Sequence, residues 1–333
     1  MWLSIWQGLP TQVHRSTVTH ALSNTKAHGK QTKKSMSKEI KLNNGVTLPQ
    51  LGYGTYQRKD NYEKVGGVKQ AVLKALKIGY RHLDCASFYK NEKEVGEAIK
   101  ESGIPRDELF ITGKVWNDFQ GLERAKISFM KSLEDLGIGY FDLFLVHWPL
   151  PGYHCETYKC LEGLQKEGKV KSIGLSNYTI ADYEELEKAG ISVKPVCNQI
   201  EVNPGLYRKD TIDYFMSKDI IVAAYKPLRA GKILKNQVVI DMAAKYNMTP
   251  ARLSILWGLQ HGLIVIPKSS NPKNMEDNFV STGGDSATIS DEDMSKLDAL
   301  TTEEDKKAWY EHYLSRRGQD PPPKGQKRKS TDE

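Results

Sequence analysis

About eight short apolar runs recur along this chain, separated by longer stretches whose apolar residues return every three or four positions, and this alternation limits the fold more than any other feature. The runs are Leu51–Gly54, His82–Asp84, Leu109–Thr112, Leu143–Val146, Ser172–Leu175, Val196–Ile200, Ile220–Ala224 and Leu263–Ile266. Between them the spacing predicts helices over Val65–Ile78, Glu92–Glu101, Leu122–Leu136, Thr157–Glu167, Ala181–Lys188 and Lys209–Ser217, with Asn91 as an entry signal ahead of Glu92 and Glu94. Repeated strand–helix units imply parallel strands. Two α/β architectures satisfy them, an open doubly wound sheet and a closed (β/α)₈ barrel, and periodicity alone does not separate the two. The barrel is favoured because no G-x-G-x-x-G follows the first strand and no G-x-x-x-x-G-K-[ST] occurs, so neither common nucleotide loop is present. Ahead of the first unit, Asn43-Asn-Gly45 lies between Glu39–Leu42 and Val46–Leu48, a hairpin signal expected to cap the amino-terminal end of the barrel.

The 333 residues suffice for one such barrel, placed at residues 39–315. Residues 1–38 contain no Asp or Glu but carry Arg15, Lys26, Lys30, Lys33, Lys34 and Lys38, a composition resembling an organelle transit peptide; a disordered leader ahead of a start at Met36 is the alternative. Residues 316–333, with three consecutive prolines and the basic run Lys324–Lys329, read as a solvated tail. Much of the formal charge of +7 therefore sits at the chain ends, which weakens a nucleic-acid reading. No segment is apolar enough to span a bilayer, and four cysteines without a CxxC pair argue against a disulfide framework or a structural zinc. The expectation is a monomer without metal, nucleic-acid or membrane partner, in the cytoplasm or, if the leader directs transport, in a mitochondrion or another organelle.

In a parallel barrel, functional groups collect at the carboxyl ends of the strands. Four candidates stand there: Asp84, Lys114, His147 and, a few residues beyond Asp84, Tyr89. Each has a structural alternative. A strand-end Asp–Lys pair is often an ion pair only, a Tyr near a helix start often a packing residue, a lone His often a satisfied backbone partner. Together they form one constellation: a phenol, an ammonium expected to lower its pKa, a carboxylate to orient the ammonium, and an imidazole to bind an oxygen. That is chemistry for protonating a carbonyl oxygen while hydride reaches the carbon.

At these residues the chain resembles the aldo-keto reductase family. The resemblance is carried by Gly79-Tyr-Arg-His-Leu-Asp-Cys-Ala-Ser-Phe-Tyr89 with Asn91-Glu92, Ile111-Thr-Gly-Lys-Val-Trp-Asn117, Leu145-Val-His-Trp-Pro149, Gly174-Leu-Ser-Asn-Tyr178, Asn198-Gln-Ile-Glu-Val-Asn-Pro204, Ala224-Tyr-Lys-Pro-Leu228 and Val265-Ile-Pro-Lys-Ser269, and it runs from about Lys38 to Leu300. It implies Tyr89 as proton donor, Lys114 and Asp84 as its supporting pair, and His147 as the group that orients the substrate carbonyl. It also implies NADPH lying extended across the barrel mouth, with Ser176, Asn177 and Gln199 at the nicotinamide carboxamide, Tyr225 stacked on the ring, and Lys268 and Ser269 at the adenosine 2′-phosphate. Thr55, Tyr56, Lys226, Leu228, Asn274, Asp277 and Asn278 complete the implied cofactor contacts. Two departures stand out: Asn274 occupies a position where many members place a phosphate-binding Arg, and Lys226 replaces a common Ser. The implied substrate pocket comprises Tyr56, Phe88, Trp116, His147 and Trp148, extended by Trp309 and Tyr310 through a carboxyl-terminal loop, and suits aldehydes with an apolar body. Lys90, where Gly is common, is either a solvated charge or an attraction for anions. The resemblance implies reduction of aldehydes and some ketones; a cofactor-sensing module like the channel-associated β subunits is the alternative.

Overall fold

The computed structural model describes residues 38–57, 66–279 and 288–318. The leader, the start at Met36 and the tail from residue 319 onward lie outside the described residues. Within them one sheet holds eight parallel strands: β3 (Tyr53–Gly54), β4 (His82–Asp84), β5 (Phe110–Val115), β6 (Phe141–Val146), β7 (Val170–Ser176), β8 (Cys197–Glu201), β9 (Ile221–Tyr225) and β10 (Ile264–Ile266). They are hydrogen-bonded in chain order, and a parallel bridge between Leu51 and Val265, with Gly52 N donating to Val265 O at 2.9 Å, joins the two ends into a barrel. The closed alternative is therefore the one adopted.

Helices α1 (Gly67–Ile78), α2 (Glu92–Ser102), α3 (Leu122–Leu136), α4 (His154–Lys166), α5 (Ile180–Lys188) and α6 (Lys209–Ser217) alternate with the strands, α7 (Gln237–Lys245) and α8 (Pro250–Gln260) both lie between β9 and β10, and α9 (Pro272–Asp277), α10 (Asp291–Asp298) and α11 (Glu303–Arg317) follow. The apolar stripe of α3, for example, buries Ala125, Phe129, Leu133 and Leu136, and a left-handed Gly137 ends the helix by donating to Leu133 O. Among the described residues no helix is long and apolar enough to cross a membrane.

Strand alternation sorts the side chains into two apolar layers. Leu83, Ile111, Phe144, Ile173 and Val222 point outward to the helices, while Phe110, Leu143, Leu145, Cys197, Ala223 and Ile264 fill the barrel floor with Leu42 and Leu48. The floor is covered by the expected hairpin, β1 (Glu39–Lys41) paired with β2 (Thr47–Pro49) through a turn at Gly45 with φ 86°. Its tip reaches across the barrel end: Asn43 Nδ2 donates to Pro195 O and Asp219 O, both at 2.9 Å, and Asn44 Nδ2 donates to Ser172 Oγ at 2.9 Å. Apolar packing closes the floor, where buried His82 Nε2 and Thr112 Oγ1 lie 3.0 Å apart, and the functional candidates stand above it at the carboxyl ends of the strands.

Three expectations change. Strands β5, β7 and β9 run past the apolar runs to include Lys114, Ser176 and Tyr225, because inside the barrel mouth these polar side chains find partners. Trp309 and Tyr310 lie in helix α11, not in a loop. That helix also extends to Arg317, past the boundary drawn at residue 315, because Thr302 and Asp305 cap its start and Asp182 holds its end.

Candidate active site

The same alternation that fills the floor turns Asp84, Lys114, Ser176, Gln199 and Tyr225 inward at the opposite end. Asp84 pairs in register with Thr112, so Lys114 stands two residues farther up β5 and reaches back. Its Nζ donates to Asp84 Oδ2 at 2.7 Å, to Cys85 O at 3.1 Å and to Tyr89 Oη at 3.1 Å. The Lys114 side chain is fully buried and that of Asp84 nearly so, an arrangement tolerable only because all three ammonium protons are placed. On its other side Asp84 Oδ1 accepts from Gln199 Nε2 at 2.8 Å.

Tyr89 is set at the mouth by a short 3₁₀ turn, Ser87–Tyr89, closed by Lys90 in a left-handed conformation. Asn91 stands at the start of α2 as expected, but its amide donates to Thr55 O at 2.9 Å instead of capping the helix. That bond ties the Tyr89 turn to the β3 end, where Thr55 Oγ1 also donates to Asp84 O. Burial, reinforced by the Asp84 carboxylate, raises the Tyr89 hydroxyl well above the usual phenol value. This corrects the expectation that Lys114 lowers it: desolvation of a phenolate at this depth outweighs one ammonium already committed to Asp84. Tyr89 is held as a protonated donor.

His147 follows β6, its N–H bonded to Val115 O. Its ring meets Tyr89, Phe88 and Trp116 edge-on at centroid distances of 6.2, 6.3 and 5.0 Å. Burial, then Lys114 and Arg316, push its pKa well below the usual histidine value, so the imidazole is neutral. Its buried Nδ1 has no hydrogen-bond partner among the described residues. Phe88 and Trp116 stack at 3.9 Å to form an apolar wall beside it, and Tyr56 packs edge-on against Tyr89 at 5.3 Å. Trp148 is buried against His312 of α11. Trp309, by contrast, stacks on Tyr313 and under the Arg208 guanidinium, and Tyr310 is exposed.

The residues expected to hold a dinucleotide fall at or near the carboxyl ends of β3, β7, β8 and β9 and in the segment that follows β10. Ser176 Oγ donates to Gln199 O, Asn177 (φ 63°) donates through Nδ2 to His147 O at 2.9 Å, and Tyr225 Oη donates to Asn177 Oδ1 at 2.7 Å. Lys226 pairs with Glu201 at 2.9 Å, and Leu228 packs on the core. Farther along, Gly54 N–H donates to Pro267 O, and a side chain at Gly54 would meet Lys268 Cβ at 3.3 Å, so the bare backbone of β3 lets the Lys268–Ser269 segment approach. Ser269 O accepts from Tyr53 Oη, and Asn274 is exposed. The Asp277 carboxylate is turned toward α8, accepting from Thr249 at 2.5 Å, whereas Asn278 is buried with its Oδ1 unpartnered among the described residues. The unpartnered Oδ1 of Asn278 and Nδ1 of His147 are buried polar atoms of the kind that a bound polar ligand satisfies.

Sequence reasoning missed Arg316, which α11 brings to the Phe88–Trp116 wall, and His312, which it sets against Trp148; the capping box at Thr302 was the available signal. It also missed His154, Cys155 and Glu185, whose ligand atoms lie within 4.8 Å of one another on the outer helices. Arg317, 3.8 Å from Glu185, opposes a cation there.

A parallel barrel with a buried Asp–Lys pair, a tyrosine and a neutral histidine at the strand ends defines an oxidoreductase of the carbonyl-reducing kind. The comparisons agree. The family model described as "Aldo/keto reductase family" matches residues 50–302, and the chain belongs to that family. It is similar to the glyoxal reductase of Bacillus subtilis, with 42% identity over 270 residues that cover 81% of this chain and 95% of the relative. Among solved structures it resembles an aldo/keto reductase from Brucella melitensis, with 39% identity and a TM-score of 0.73 over 79% of this chain and 99% of the other. It likewise resembles an aldo-keto reductase crystallised with NADPH, at 31% identity and a TM-score of 0.74 over 81% and 89% of the two chains.

Proposed function

We propose that this chain reduces aldehydes and some ketones to alcohols with NADPH, and that Tyr89 supplies the proton. The observation that carries the reading is the joint placement of Tyr89 Oη 3.1 Å from Lys114 Nζ, itself 2.7 Å from Asp84, beside the neutral ring of His147. NADPH, when bound, supplies the hydride. Ser176, Asn177, Gln199 and Tyr225 would hold its nicotinamide end, and Lys268, Ser269, Asn274 and Asn278 its adenosine end. His147 orients the carbonyl oxygen toward Tyr89, which donates its proton as negative charge develops there. Lys114 stabilises the phenolate left behind, and Asp84 holds Lys114 in place. The stacked Phe88–Trp116 wall excludes water and accepts an apolar substrate body.

Glyoxal, the substrate named for the Bacillus relative, is the first compound to test, beside an aromatic aldehyde. The test follows loss of NADPH absorbance, with NADH in parallel. Turnover favouring NADPH supports the reading. Equal use of NADH removes the cofactor preference, and tight NADPH binding without turnover on any aldehyde favours a sensing role.

A further inference from the structure

Helix α11 crosses the barrel mouth and places the Arg316 guanidinium 5.9 Å from the Phe88 ring centroid and 5.8 Å from that of Trp116. The next residue, Arg317, pairs with Asp182 at 3.1 Å and lies 3.8 Å from Glu185. Arg316 has no carboxylate partner within salt-bridge distance among the described residues. Nearby acids are already engaged, Glu201 by Lys226 and Asp84 by Lys114. An arginine that is half-buried, pairs with no acid among the described residues and rests on the Phe88–Trp116 wall keeps a planar donor fork for a carboxylate. It is close enough for its charge to help keep His147 neutral.

We propose that Arg316 forms a carboxylate subsite, so that preferred substrates are aldehydes or ketones bearing a carboxylate on the side remote from the reacting carbonyl. The inference rests on the reductase reading above. The carbonyl lies between Tyr89 and His147, the body along Phe88 and Trp116, and the carboxylate meets the guanidinium at the outer edge of that wall.

The side chain can be changed without detaching the helix, because Asn117 binds the Arg316 backbone carbonyl at 3.1 Å. The test compares kcat/KM for para-carboxybenzaldehyde with that for its methyl ester, using NADPH, in wild type, Arg316→Met, Arg316→Lys and Lys90→Met. Wild type is expected to favour the carboxylate. In Arg316→Met the ratio should fall about tenfold or more, the loss expected when a charge-assisted contact is removed, with the Lys variant intermediate. Added salt should raise KM for the carboxylate in wild type and leave it flat in Arg316→Met. An unchanged ratio in Arg316→Met, or a ratio that falls only in Lys90→Met, overturns the subsite and leaves the reductase reading standing. A KM change confined to NADPH would move Arg316 to the cofactor and also overturn it. Folded wild type that reduces neither aldehyde overturns both readings.

Discussion

Gln199 on β8 donates to Asp84 on β4 at 2.8 Å, bridging two strands that are not neighbours in the sheet. Lys114 holds the other oxygen of the same carboxylate at 2.7 Å. Asp84 is thus clamped from both sides, and a residue expected to meet the nicotinamide also fixes the group that positions Lys114.

The clamp makes the ion pair a testable unit. Asp84→Asn leaves a buried ammonium without its charge partner, and Lys114→Met leaves a buried carboxylate held by Gln199 alone. Each should cost about 3–5 kcal/mol of stability. The double variant strands neither charge, so its loss should fall short of the sum by at least about 1 kcal/mol. Urea unfolding of the four proteins measures this. Strict additivity would mean that the two side chains are stabilised independently.

Tyr89→Phe should lower kcat by about 10²–10⁴-fold, with the NADPH dissociation constant, read by fluorescence titration, little changed. The pH dependence is fixed by two opposite shifts. Tyr89 must be protonated, and burial raises its pKa well above the phenol value, so its limb lies on the alkaline side of pH 10. His147 must be neutral, and burial lowers its pKa well below the ordinary value, so protonation enters only in the acid range. kcat/KM for reduction is therefore expected to stay level between about pH 6.5 and 9. A limb with a midpoint inside that range in a steady-state profile would contradict one of the two assignments.

Legibility in the sequence followed chemistry. The strands were readable because their apolar residues face a filled floor on one side and helices on the other, and His82–Asp84 matches its predicted bounds. Their upper ends were cut short at Lys114, Ser176 and Tyr225, since a polar residue in an apolar run reads as a boundary until the mouth supplies partners. The catalytic candidates emerged from position at strand ends and from the family resemblance. Arg316 did not: composition assigned it to a basic tail, and only the packing of α11 on Asp182 shows otherwise. The Tyr89 shift was misjudged because sequence places the charge beside the phenol but does not show how completely water is removed.

Glu92 gives a pH-dependent stability. Its carboxyl is buried at the start of α2, where Ser132 Oγ donates to Oε2 at 2.9 Å and Oε1 has no partner among the described residues. Burial raises its pKa to about 7, from an ordinary 4.5. Between those values the folded protein keeps a proton that the unfolded chain releases, so stability falls as pH rises from about 4.5 to about 7 and then levels. Glu92→Gln removes this slope. The variant should gain on wild type across that window, by up to about 3 kcal/mol at its alkaline end. Tm measured from pH 5 to about 8.5 tests this, and parallel curves for the two proteins would show that Glu92 does not titrate there.

Asp182 connects the helix that carries Arg316 to the barrel. Its buried carboxylate accepts from Thr179 N at 2.8 Å, Thr179 Oγ1 at 2.6 Å and Tyr313 Oη at 2.6 Å, with Arg317 3.1 Å away. One group therefore caps α5 and anchors α11. Asp182→Ala loses both functions and should cost about 2–4 kcal/mol, whereas Tyr313→Phe removes one contact, costs about 1–1.5 kcal/mol and leaves the α5 cap intact. Neither change touches Asp84, Lys114 or Tyr89. Loosening α11 should therefore raise KM for aldehydes more than it lowers kcat, as the Phe88–Trp116 wall loses Arg316 and Trp148 loses His312. Limited proteolysis should cut the carboxyl-terminal helix faster in both variants, and faster in Asp182→Ala. If Tyr313→Phe speeds cleavage but leaves KM unmoved, the helix is a structural strap and not a wall of the substrate site; if KM rises in step with cleavage, α11 shapes that site.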